Sequence, residues 1–310
     1  MDRVIALTGA TGFIGSSLAR RLVGQGWRVR ALVRPSSRTA HLRGLGVDLV
    51  EGGLDELPAL ERLVSGAQAV VYCAGSVRGL ERRDFEPVNV AGVGHVSRVA
   101  GTLAEPPRIL LISSLAARCP GLSAYAWSKR EGERMLAHRA ASMAWTVLRP
   151  PAVYGPGDRE LMPLFHWMRR GLAPVLGDPQ GRVSLVFIDD LVEVIARWAE
   201  VPVMEPRVLE VHDGKVGGYS WDEVIRVAER LRGRRIVRLA VPRPLAHLAA
   251  FASSGVARAR GRAPMFTPDK LRELLHPDWV CDNREICSMI GWRPRVDLYQ
   301  GLARTLQWRR

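Results

Sequence analysis

Val4-Ile5-Ala6-Leu7-Thr8-Gly9-Ala10-Thr11-Gly12-Phe13-Ile14-Gly15 runs from an apolar segment through three glycines into a stretch of helical apolar spacing that reaches Leu22. It reads as a short buried strand, a tight turn and the start of a helix. Backbone N–H groups at a helix start lack intrahelical partners, the dipole favours negative charge, and missing side chains let a phosphate come close. A glycine-rich turn alone would mean little. A strand before it, a helix after it and regular glycine spacing point together to a nucleotide phosphate site.

Outward from that turn, apolar runs and helical stretches alternate. Strands are expected at 28–33, 47–51, 69–73, 108–112 and 145–149, a long helix from Phe85 to about Ala104, and another helix holding Tyr125 and Lys129. Such alternation argues for a parallel sheet with helices on both faces. Beyond Pro150-Pro151 the texture becomes mixed. Helices are expected at 163–170, 191–199 with Asp189 and Asp190 as caps, from Ser220, at 267–275, at 284–290 before Gly291, and at 298–307. Strands are expected at 184–188 and 236–239. The expected fold is α/β: a Rossmann-like doubly wound parallel sheet over residues 1–160, with a strand and helix at about 184–200 returning to it. A smaller mixed α/β C-terminal lobe, 161–310, would mainly bind substrate.

Tyr125-Ala126-Trp127-Ser128-Lys129 sets a phenol and an ammonium on one helix face. The pattern gains weight from lysine usage, because Lys129, Lys215 and Lys270 are the only lysines among 45 basic residues. A compact ammonium can bind a ribose and lower a neighbouring phenol's pKa, which an arginine chosen for generic charge need not do. Ser113 and Ser114 end the strand at 108–112, where ligands of open parallel sheets bind. Paired serines are also ordinary turn formers, and the tyrosine eleven residues after Ser114 favours a catalytic role.

Composition bounds the remainder. A chain of 310 residues suits one large or two coupled domains with a substantial core. The first strand begins at once, so no cleavable leader is expected, and no apolar run approaches the ~18 residues of a membrane span. Cys73, Cys119, Cys281 and Cys287 form no C-x-x-C pair, so neither a metal site nor disulfides are expected, and a cytoplasmic location is. Net charge is +14, with ten arginines and one acid, Glu229, over residues 226–262. Without interleaved aromatics or a nucleic-acid module, that stripe reads as a solvated surface, and no nucleic-acid partner is expected. The apolar stretch 245–257 would line a pocket, rest on a membrane or, the favoured reading, belong to the core. A small-molecule substrate is expected, with a homodimer left open.

The glycine spacing followed by Phe-Ile, the Tyr125/Lys129 pair and two later segments resemble the extended short-chain dehydrogenase/reductase (NAD-dependent epimerase/dehydratase) superfamily. Leu148-Arg149-Pro150-Pro151-Ala152-Val153-Tyr154-Gly155-Pro156-Gly157-Asp158 is similar to its L-R-P-x-x-V-Y-G-P-x-D, and Val186 to Leu191 to its V-x-V-x-D-L. Asn89-Val90-Ala91-Gly92 matches its N-V-x-G. The resemblance implies catalysis by Ser114, Tyr125 and Lys129, with Ser113 the nearest competitor to Ser114. It implies cofactor contacts at Gly9, Thr11, Gly12, Phe13, Ile14, Gly15, Leu54, Ala74, Gly75, Tyr125, Lys129, Pro150 and Val153, and substrate contacts at Tyr154 and Arg182. Tyr72 departs from a frequent histidine, and Gly53 from an aspartate that contacts adenine.

Cofactor choice is read at the end of the second strand, where NAD sites carry an acid. Here stand Arg34 and Arg38, with no acid before Asp48, and Arg34 lies 19 residues after Gly15. An arginine pairs with a 2′-phosphate that a carboxylate would repel, so NADP is expected, with NAD the alternative. The function read from these features is an NADP(H)-dependent oxidoreductase acting on a carbonyl or secondary alcohol of a largely apolar substrate. Arg182 supports an alternative, a sugar-nucleotide epimerase/dehydratase with tightly held NAD. A non-catalytic dinucleotide-binding scaffold is the second alternative.

Overall fold

The computed structural model describes residues 3–306 apart from 179, 203–204, 260–263 and 265. Arg260 and Arg262 of the basic stripe, and Gln307 at the expected end of the last helix, lie outside the described residues. The first part of the chain forms β1 (Val4–Thr8), α1 (Phe13–Gly24), β2 (Arg28–Val33), α2 (Ala40–Arg43), β3 (Asp48–Glu51), α3 (Leu57–Val64) and β4 (Ala69–Tyr72). Next come α4 (Arg82–Glu86), a π-helical segment (Pro87–Ala91), α5 (Gly92–Gly101), β5 (Arg108–Ile112), a 3-10 turn (Leu115–Arg118), α6 (Ala124–Arg139), β6 (Trp145–Arg149) and β7 (Ala152–Tyr154). After these follow α7 (Met162–Arg170), β8 (Leu172–Val175), β9 (Arg182–Val183), β10 (Leu185–Phe187), α8 (Ile188–Glu200) and β11 (Arg207–Glu210). The chain continues through β12 (Tyr219–Ser220), α9 (Trp221–Arg232), β13 (Val237–Ala240), α10 (Arg243–Ala259), α11 (Pro268–Leu275), β14 (Asp278–Trp279), α12 (Arg284–Ile290) and α13 (Leu298–Leu306).

A seven-stranded sheet in the order β11-β6-β5-β4-β1-β2-β3 is parallel throughout. Its two central strands, β1 and β4, are almost wholly apolar, as strands covered on both faces tend to be, and every residue of both is buried. Helix α1 buries Gly15, Leu18, Ala19 and Leu22, one stripe at helical spacing, and packs beside α8. Strand order reverses between β1 and β4, which opens a crevice at their carboxyl ends.

Several expectations are corrected. The strand at 184–188 does not return to the large sheet: β10 pairs with β7 in a two-stranded sheet, register Val186↔Val153. The strand that does return is β11, beside β6, with Leu209 opposite Leu148. Asp190 is not a helix cap, because its carboxylate accepts from the Arg295 and Val296 backbone N–H groups and so anchors the C-terminal segment. The long helix after β4 carries a π-helical turn at Pro87, a residue with no N–H to donate. Stretch 245–257 is not plain core. Its small residues Ala246, Ala250 and Ala257 are buried, while Leu245, Leu248, Phe251 and Val256 are exposed.

Candidate active site

The phosphate turn is built by close approach. Gly9 has φ +69°, and a Cβ there would stand 2.6 Å from the Ala74 backbone nitrogen; a Cβ on Gly15 would stand 2.2 Å from the Gly9 carbonyl oxygen. Thr8, buried at the end of β1, accepts the Cys73 and Ala74 N–H groups on its hydroxyl, each at 3.1 Å. Thr8 was not singled out by the sequence, because a threonine ending a strand carries no signal of its own. Gly12 starts α1 with no side-chain cap and no acid in the first turn, so nothing competes with an anion for that helix end. Thr11 is exposed beside it, and Phe13 and Ile14 are partly buried against the core. These residues fit a dinucleotide diphosphate.

Around the turn lie the other ends of the parallel strands. Arg34 and Arg38 are exposed just past β2. Asp48, the first acid beyond them, sits at the far end of β3 and holds Arg28 at 2.7 Å. Leu54 packs toward Gly92, and its carbonyl lies 2.9 Å from His95 Nδ1. The two departures from the family pattern have local causes. Tyr72 reaches over Gly92, where a Cβ would meet its hydroxyl at 2.4 Å, and donates to the Val88 carbonyl at 2.5 Å in the π-helical turn. Gly53 leaves its backbone N–H to the Glu56 carboxylate, at 3.0 Å.

Helix α6 starts at Ser123, whose hydroxyl accepts the Ala126 N–H at 2.9 Å and donates to Glu273. Asp269 accepts the Ala124 N–H at 2.7 Å. Both acids belong to α11, remote in sequence, and sequence reading missed them. The Tyr125 phenol lies near Ser114, whose hydroxyl favours its ionised form, and is edge-on to Phe85, ring centroids 6.0 Å apart. Lys129 is buried and donates to the Ile112 carbonyl at 2.7 Å; Gly75 lies beside its ammonium. Asn89 closes the floor, accepting the Ser76 N–H and donating to the Ser76 carbonyl and the Ser128 hydroxyl, each at 2.9 Å.

The two serines are told apart by their partners. Ser113 gives its hydroxyl to Glu133 at 2.6 Å, in a buried cluster where Glu133 also receives Arg149 Nε at 2.8 Å. Ser114 is the one at Tyr125. Electrostatics differ from expectation at the phenol: burial, chiefly, pushes Tyr125 up to about 12, against the Ser114 hydrogen bond that lowers it. Glu273 and Glu160 add to the rise. Lys129 itself is brought down to about 8 by burial, partly offset by Cys73 and Glu133.

Tyr125 opens on a cleft lined by Val77, Arg78, Gly79, Phe85, Glu160 and the α10–α11 region at Pro264, Thr267 and Lys270. Arg78 pairs with Glu160 at 2.8 Å, and Lys270 with Glu273 at 2.9 Å. Pro150 and Val153 continue from β6 into β7, with the Pro150 carbonyl accepting the Leu115 N–H at 2.9 Å. Tyr154 is not placed to touch substrate: it is fully buried, edge-on to Phe165 and Phe187 at 5.9 and 5.5 Å. Arg182 is on β9, held by Glu223 at 3.0 Å and by the Gly218 carbonyl, and it is not among the residues lining the Tyr125 cleft.

An enzyme working with a nicotinamide dinucleotide is the class this architecture defines. Its residues 5–211 match the model of the NAD dependent epimerase/dehydratase family. The chain is 35% identical to a ceramide reductase of Caulobacter vibrioides, over 99% of this chain and 94% of that protein. It is 26% identical to a UDP-glucose 4-epimerase of Vibrio cholerae, over 99% and 95%. A UDP-glucuronic acid 4-epimerase from Bacillus cereus, solved with UDP-glucuronic acid and NAD, superposes with a TM-score of 0.75 at 17% identity, covering 98% of each chain. The chain belongs to the NAD dependent epimerase/dehydratase family.

Replacing Gly9 by alanine forces a side chain onto the Ala74 backbone at a positive φ. Gly9→Ala is expected to weaken dinucleotide binding by roughly tenfold or more and to lower the melting temperature. Titration of the dinucleotide by intrinsic fluorescence and a thermal melt read the two effects; unchanged binding would detach the close approach from the phosphate site.

Proposed function

We propose that this enzyme is an NADP(H)-dependent reductase of a ketone on a largely apolar substrate, with Tyr125 as proton donor, Ser114 as the group that orients the carbonyl oxygen and Lys129 as a ribose ligand. The observation that carries the reading is the placement of Tyr125 on the cleft, beside Ser114 and one helical turn before the buried Lys129. A phenol is neutral near pH 7, burial pushes its pKa further up, and a neutral phenol beside a serine can serve as a general acid. When bound, a reduced nicotinamide supplies a hydride for the carbonyl carbon. Tyr125 gives its proton to the oxygen, and Ser114 holds that oxygen by a hydrogen bond as negative charge grows on it. Lys129 has three donors, one of them spent on Ile112, so it can also hold ribose hydroxyls.

Two further features favour net reduction over sugar-nucleotide epimerisation. Arg34 and Arg38 offer guanidinium groups to a 2′-phosphate at a strand end where the first acid, Asp48, faces away to Arg28. Arg182, the residue that would have held a sugar diphosphate, is engaged by Glu223 and away from the cleft. Similarity to a ceramide reductase supports a ketone in an amphiphilic, long-chain substrate. A screen of long-chain ketones and UDP-sugars, followed at 340 nm, separates the readings: stoichiometric NADPH consumption with a ketone is expected. Sugar interconversion without net oxidation would replace this reading.

Tyr125→Phe is expected to abolish turnover and leave NADPH affinity nearly unchanged, since the phenol's task is proton transfer. Rate assays and cofactor titration on the same preparation check both halves.

Arg34→Ala is expected to weaken NADPH by about 1–3 kcal/mol and NADH hardly at all. Isothermal titration with both cofactors measures the difference, and equal affinities in the parent protein would return the choice to NAD.

The ammonium of Lys129 is charged below its pKa and neutral above it. NADPH affinity is therefore expected to fall as pH rises through about 8, while Tyr125, at about 12, stays protonated. A dissociation constant flat between about pH 6 and pH 10 would remove Lys129 from the cofactor's contacts.

A further inference from the structure

We infer that the outer face of α10, together with β13, is a docking surface for an anionic lipid bilayer. Helix α10 is inside out in side-chain size. Ala246, Ala250, Ser254 and Ala257 are buried, and at about 100° per residue they form one stripe. Leu245 at 58% exposure, Leu248 at 66%, Phe251 at 62% and Val256 at 51% occupy the opposite side. Val237 and Leu239, on the strand just before α10, are exposed as well, at 59% and 41%. Folding this protein would gain more apolar burial by turning the helix over. The small residues face inward because they fit the shallow seat made with Leu271 and Phe266, and the large ones are left for something outside.

Charge says what that something is. Between Glu229 and Asp269 the chain has nine arginines and no acid. Among the described ones, Arg234 and Arg235 are exposed before β13, Arg243 opens α10 and Arg258 stands in its last turn. Exposed basic groups before and at both ends of a helix that shows large apolar side chains match a negative headgroup layer above acyl chains, whereas two copies of this region would set arginine against arginine. Among the described residues no helix is long and apolar enough to cross a membrane, so the fitting mode is a helix lying in the interface. The position is suited to delivery, on the reductase reading: Pro264 and Thr267, just after α10, line the cleft that holds Tyr125.

Flotation of the full chain with vesicles of phosphatidylcholine alone, and of phosphatidylcholine with about a third phosphatidylglycerol, tests the surface without using catalysis. Binding to the anionic vesicles is expected to be roughly tenfold stronger or more, and to weaken with added salt. The exposed double substitution Leu248→Glu/Phe251→Glu should lose it while keeping the parent's melting temperature. Arg243→Glu/Arg258→Glu, which leaves the apolar side chains in place, should remove the preference for anionic lipid. No anionic preference in the parent, or binding untouched by both double variants, overturns the proposal. So does a vesicle-free dimer abolished by Leu248→Glu/Phe251→Glu, which would make a second copy the occupant. Because none of these readouts needs turnover, they stand or fall apart from the reductase assignment.

Discussion

Everything at the site is arranged around one close approach, the carboxyl end of β1 against the carboxyl end of β4. Gly9 lets the two backbones meet because it has no side chain and can hold φ +69°. Thr8 fastens the contact by taking two N–H groups of the opposite strand end on one hydroxyl. Gly15 then lies on the Gly9 carbonyl, so α1 starts directly above the turn and its unpaired N–H groups face the crevice. The same contact carries Ala74 and Gly75 to the Lys129 ammonium, so that the glycine turn and helix α6 share one piece of backbone.

Helix α6 is fixed from both directions. From below, Glu133 clamps Ser113 at the end of β5 and Arg149 at the end of β6, a buried ion pair in which each partner needs the other. Removing one member of such a pair costs about 3–5 kcal/mol. From above, Asp269 and Glu273 of α11 take the N-terminal groups of α6. The helix that presents Tyr125 is thus capped by residues from the region that also borders the substrate cleft. Any shift of α11 would therefore reach the start of α6 and Tyr125 through these two hydrogen bonds.

What the sequence made legible was local. The glycine turn, the strands through 149, the capping of α9 by Ser220 and the Tyr125–Lys129 face each depend on neighbours within a turn or two, and periodicity carries them. What it hid depended on partners far along the chain. Ser113 and Ser114 are alike until Glu133 claims one of them. Tyr154 belongs to a motif yet points into the core, and Arg182 fits a motif's neighbourhood yet answers to Glu223. The edge strand β11 is too short and mixed to announce itself, and β10 reads as a sheet strand until β7 takes it. For α10, hydrophobicity was legible but its direction was not, since composition does not say which side of a helix meets the protein.

The distribution of primary amines is unusually sparse. Lys129 is buried, which leaves Lys215, bound to Glu223, and Lys270, bound to Glu273, as the side-chain amines at the surface. Lys270 stands on the rim of the Tyr125 cleft. An acylating reagent therefore meets, beside the chain's α-amine, only two exposed side-chain amines, one of them at the cleft rim. A fluorophore or immobilisation chemistry aimed at lysine would report on, or obstruct, the cleft mouth, and labelling strategies for this enzyme must begin from that geography.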